Sequence, residues 1–129
     1  MNIEQMNTIV ETILGECESI IAETENITEE LTLEPVFCDE LFEIRCSAEE
    51  VQSLIVNIEE NEFISNDMLD NLENKSIQLY QNIKYSLEGF ETENESSTSP
   101  EVLQSFVYMR NSVNEIRTAV EELITKMKI

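Results

Sequence analysis

Residues 2–27, NIEQMNTIVETILGECESIIAETENI, decide the fold class. Ile3, Met6, Val10, Ile13, Cys17, Ile20, Thr24 and Ile27 follow one another in alternating steps of three and four. That spacing keeps a line of side chains on one face of a helix with 3.6 residues per turn. Ile9, Leu14 and Ile21 widen the line into a stripe, as a helix needs when it packs in a bundle and not in a two-stranded coil. The segment therefore reads as a long first helix.

The opposite end of the chain repeats the pattern. Ser99-Pro100-Glu101 combines a capping residue, a first-turn proline and an acid suited to the positive helix end. Phe106, Met109, Val113, Ile116, Val120, Leu123 and Met127 then form a second heptad seam, and Lys126 and Lys128 complement the negative helix end. Between the two seams the text is less regular. Pro35 suits the first turn of a short helix carrying Phe37, Leu41 and Ile44, although Phe42, Ile44 and Cys46 alternate with Glu43 and Arg45 as a strand would. A short helix is the better reading, because no second strand exists to pair with it. Ser47-Ala48-Glu49-Glu50 has the form of a capping box and predicts a new helix with Val51, Leu54, Ile55 and Ile58 inward. Ser65, Asn66 and Asp67 supply another cap, before a helix to about Phe90 with Leu69, Leu72, Leu79, Tyr80, Ile83 and Leu87 inside. Residues 91–99 contain no apolar side chain and read as a flexible polar linker before the C-terminal helix.

The expected fold is all-α: a single domain over 1–129, built as a small bundle of four to five helices with long N- and C-terminal members. Two Gly and two Pro are too few for the tight turns of a sandwich or barrel. The heptad seams at both ends also allow a homodimer through a coiled coil.

Charge separates this chain from an ordinary bundle. Twenty-eight acids face seven bases, for a formal charge of −21, and all the acids but Asp39, Asp67 and Asp70 are Glu, the better helix former. Residues 1–62 hold all but a few of the unbalanced acids and only one base, Arg45. Within the first helix Glu4, Glu11, Glu18 and Glu25 recur every seven residues, and so do Glu16, Glu23 and Glu30, in rows expected to flank the apolar seam. A surface selected for solubility normally mixes signs, since opposite charges four apart support a helix and like charges strain it. An acidic binding face is therefore expected, made by Glu4, Glu11, Glu16, Glu18, Glu23, Glu25, Glu29, Glu30, Glu49, Glu59, Glu60 and Glu62. Arg110 and Arg117, seven apart beside the last seam, are expected to pair with acids flanking the first.

The same charge excludes classes of partner. Direct binding to nucleic acid and to an anionic membrane surface both need Lys and Arg that the chain lacks. No apolar run reaches the length of a membrane span. Glu4 and Glu11 stand where an export leader would be basic and then apolar, so a cytoplasmic location is expected. Cys17, Cys38 and Cys46 lack metal-binding spacing and read as buried free thiols. With no His there is no imidazole base or nucleophile pair, and with Gly only at 15 and 89 there is no phosphate-cradling loop. Glu40 with Glu43, Glu59 with Glu62 and Asp67 with Asp70 have the spacing of magnesium ligands on facing helices, but so acidic a chain produces such pairs by chance. No enzyme, catalytic residue, metal site or cofactor is expected.

The reading is an acidic binding protein that occupies the basic nucleic-acid-binding surface of another protein, for example a restriction, CRISPR or other defence nuclease. The alternative is a dedicated helical partner (an immunity protein, antitoxin or secretion chaperone) of a basic toxin or effector. A coiled-coil adaptor comes third.

Overall fold

The computed structural model describes residues 3–30, 35–61, 63–93 and 100–127. It is a small all-α bundle of four helices: α1 (Ile3–Glu30), α2 (Pro35–Glu60), α3 (Asn66–Glu93) and α4 (Pro100–Met127). No strand occurs among the described residues, so the alternation at 42–46 is carried on a helix.

Each helix packs against two neighbours and none against its diagonal partner, so the four stand in a square in the order α1, α2, α3, α4, with α4 closing on α1. Neighbours run antiparallel. Glu23, late in α1, reaches Ser105, early in α4, while Glu4 and Thr8 share a groove with Glu122 and Lys126 at the other end. The N-terminal end of α1 therefore shares one end of the bundle with the end of α2, the start of α3 and the end of α4.

The seams meet on the bundle axis. From α1, Val10, Ile13, Cys17, Ile20, Thr24 and Ile27 are buried, and from α4 so are Phe106, Met109, Val113, Ile116, Val120 and Leu123. Both seams are buried within one chain. Ile3, the first member of the α1 seam, lies beyond the core and is exposed.

The capping reading of Ser47 is corrected. α2 is one continuous helix of 26 residues, because Leu41, Ile44, Ala48, Val51, Ile55 and Ile58 make an unbroken three-four seam across that position. Ser47 is buried in its middle, and its Oγ accepts a hydrogen bond from Asn82 Nδ2 of α3 at 2.9 Å. All four helices are consequently of similar length, with no short member among the described residues.

The other boundaries follow local rules. Pro35 and Pro100 each open a helix, where the missing N–H costs nothing. Ser65 caps α3, its Oγ accepting from the Met68 N–H at 3.2 Å. α3 continues through Glu93, three residues into the expected linker, and 94–99 lie outside the described residues.

Proline discriminates the two readings of α2. Were Ser47 a cap, Glu49 would sit in a first turn, and Pro would be tolerated there. In the continuous helix, Glu49→Pro is expected to cost about 3 kcal/mol, read as a lowered urea midpoint with unchanged slope.

Candidate protein-binding surface on α1 and α2

The charge is distributed by helix. α1 carries eight acids and no base, and α2 carries seven acids and Arg45. α3 has six acids against two lysines, and α4 has four acids against three bases. α1 and α2, which are adjacent, together hold a net −14 (eight from α1, six from α2), against −5 for α3 and α4 (four and one).

The two glutamate rows of α1 do not flank its seam symmetrically. Glu4, Glu11, Glu18 and Glu25 are all exposed and, at 100° per residue, point away from the core. They form an outer row with a step of about 10 Å. Glu16 and Glu23 are half-buried on the flank toward α4, where Glu23 Oε1 accepts from Ser105 Oγ at 2.8 Å. This second row belongs partly to helix packing. Glu29 and Glu30 lie in the last turn of α1, but their side chains, like the whole of Glu62, are outside the described residues. Glu49, Glu59 and Glu60 are exposed on α2.

The bases of the chain serve other helices. Arg45 pairs with Glu49, Lys75 with Glu50, Lys84 with Glu88 and Lys126 with Glu122. The pairing proposed for Arg110 and Arg117 is corrected: the Arg117 guanidinium lies over the Tyr80 ring of α3, 4.5 Å from its centroid, and Arg110 has no ion pair among the described residues. An aromatic face attracts a guanidinium without a carboxylate, which is why Arg117 turns to α3. None of Glu4, Glu11, Glu16, Glu18, Glu23 and Glu25 forms an ion pair among the described residues. Their spacing explains how α1 tolerates them. Only Glu25 and Glu29 stand four apart, and no two stand three apart, so the most repulsive separations on a helix are nearly absent.

Two open grooves adjoin this surface. One, of about 520 Å³, runs between α2 and α3 and is lined by Cys46, Glu49, Glu50, Ser53, Leu54, Asn71 and Lys75. The other, of about 540 Å³, lies between α1 and α4, where Thr8, Thr12 and Thr118 spend their hydroxyls on carbonyls one turn back. Neither encloses a ligand-sized cavity with convergent polar groups. No three His, Cys, Asp or Glu side chains among the described residues are placed to hold a metal ion. No described helix is long and apolar enough to cross a membrane. Cys17 is fully buried, and that burial, helped by the Glu16 and Glu18 carboxylates, pushes its thiol up to about 12. It is a core side chain and not a nucleophile.

The sequence missed the aromatic residues of the surface. Phe42 is 55% exposed on α2, with the Arg45 guanidinium 5.3 Å from its ring centroid. Phe63, in the α2–α3 turn, is 88% exposed. Comparison with protein-family models, curated proteins and solved structures finds no match to the chain.

Two outcomes follow from this electrostatics. Raising NaCl from about 10 mM to about 500 mM shortens the screening length from roughly 30 Å to about 4 Å. Because α1 lacks counter-charge, the melting temperature is expected to rise by roughly 5 °C. The triple variant Glu11→Gln, Glu18→Gln, Glu25→Gln is expected to flatten that dependence. For Cys17 the folded value near 12 exceeds the ordinary 9.0, so its contribution is full below pH 9 and is lost as pH rises toward 12. At about 1.4 kcal/mol per pH unit, wild type is expected to lose about 2 kcal/mol relative to Cys17→Val by about pH 10.5, measured by urea unfolding at each pH.

Proposed function

We propose that this chain is an acidic binding protein that occupies the basic nucleic-acid-binding surface of a target protein and thereby blocks it. The observation that carries the reading is that, among the described residues, none of six carboxylates of α1 has an ion pair, on a helix with no base of its own. A bundle that needed only a polar exterior would gain from interleaved Lys, yet the bases of this chain lie on the other three helices and beyond. Fixed negative charge without internal compensation is neutralised from outside, by counter-ions or by a cationic surface that releases them.

Magnitude supports the same reading. α1 and α2 lie side by side over about 40 Å, and their exposed described acids, four on α1 and six on α2 against Arg45, amount to roughly one charge per 4–5 Å of length. A single nucleic-acid strand carries about one per 3.4 Å. A nuclease of the defence systems that phages face is one class of target whose channel fits such a surface. Attraction of this kind raises association rates and falls steeply with salt.

A dedicated partner of a basic toxin or effector is the second reading. It is favoured by the exposed apolar side chains at the α1 N-terminal end of the bundle, Ile3 at 78% and Phe63 at 88%. Such a complex buries apolar surface and survives high salt.

The test is affinity capture from a host lysate, with wild type beside a Glu11→Lys, Glu18→Lys, Glu25→Lys variant, followed by competition of the recovered protein against DNA and RNA. Expected is a nucleic-acid-handling protein that charge reversal releases, with affinity falling at least about tenfold between 50 and 200 mM salt. Recovery of one protein that ignores nucleic acid, high salt and charge reversal would transfer the assignment to the dedicated partner.

A further inference from the structure

We infer that Phe42 takes the place of a nucleobase, so that the acidic face fits proteins which bind single strands on aromatic platforms. The inference rests on the proposed function and adds to it the class of target. The first support is charge density: the exposed described acids, four on α1 and six on α2 against Arg45, give roughly one charge per 4–5 Å, nearer to one strand than to a duplex, which carries a charge every 1.7 Å or so. Proteins that bind single strands combine a basic groove with aromatic side chains on which bases stack, and a ligand offering charge alone leaves those platforms unfilled.

Phe42 supplies a planar group at a suitable place. It stands on the outer side of α2 with more than half of its surface exposed, between the acids Asp39 and Glu43, both also exposed. Its row is the outer, solvent-facing one of α2, and Glu49 of the same row borders the groove toward α3. Ser47 and Glu50 contact α3, so Arg45, Gln52 and Val56, half-buried on the opposite flank, face the only other neighbour. Arg45, the sole base in residues 1–62, lies 5.3 Å from the ring centroid with its Nε 3.8 Å from Glu49, which makes one row of Phe42, Arg45 and Glu49 along the helix.

Two peptides of equal positive charge test this against labelled full-length protein by NMR: octalysine, and a peptide of eight Lys interrupted by four Trp. Both are expected to shift the amide resonances of Glu11, Glu18 and Glu25. The Trp peptide is expected to bind at least about fivefold tighter and to move the Phe42 ring protons upfield. Phe42→Ala should abolish that preference, Phe42→Tyr should keep it, and Phe63→Ala, at the far end of α2, should leave it intact. If both peptides bind the α1 row equally, or the preference follows Phe63, the nucleobase role is overturned and the acidic reading stands. If neither peptide shifts the α1 row, the acidic reading beneath it fails as well.

Discussion

Burial of the α1 seam between α2 and α4 is the constraint on which the molecule depends. A chain of net charge −21 must hold fifteen carboxylates of two adjacent helices side by side. Six fully or nearly fully buried side chains of α1 oppose that repulsion, from Val10 through Ile27. Each large aliphatic among them contributes about 1.5–3 kcal/mol. Like charges one turn apart cost only a few tenths of a kcal/mol, and α1 has nearly none at that spacing. The core therefore wins by a wide margin, and α1 is free to carry charge for a purpose other than stability.

The packing also decides which charges are free. In a square of four helices every helix has two flanks facing neighbours and one side facing solvent. Carboxylates on a flank become packing groups, as Glu23 does on meeting Ser105, and Glu50 on meeting Lys75 at 2.9 Å. Both contacts are partly exposed and contribute at most about 1 kcal/mol, so they orient the helices more than they hold them. Carboxylates on the outer side face solvent. The outer row of α1 and the exposed acids of α2 form one continuous side because the two helices are neighbours in the square. The bland view, that Glu merely keeps the bundle in solution, accounts for the exposure of these groups but not for the absence of Lys among them.

How far the sequence could be read varies with the range of the interaction involved. Helix 1, helix 4 and the Ser65 cap were legible because a heptad step, a first-turn proline and a hydroxyl three residues before an amide are all local. The Ser47 reading failed because the same four letters serve two purposes. Ser-Ala-Glu-Glu caps a helix only if the chain before it is not helical, and here Asn82, thirty-five residues away, takes the serine hydroxyl instead. Counting Ala48 as a seam residue would have joined the two halves of α2. Arg117 was misassigned for a similar reason: a cation beside a seam finds whichever neighbour presents the better surface, and that was the Tyr80 ring.

By itself the sequence determined the fold class, the long apolar stripes of the first and last helices and the concentration of charge in its first half, because each is a property of spacing and composition along one chain. Only the tertiary structure decided that α1 and α2 share a side, that one glutamate row faces solvent while the other meets α4, and that Phe42 stands exposed among acids. Those outcomes depend on which helix lies beside which, and a helix has no record in its own residues of the neighbour that will cover each flank.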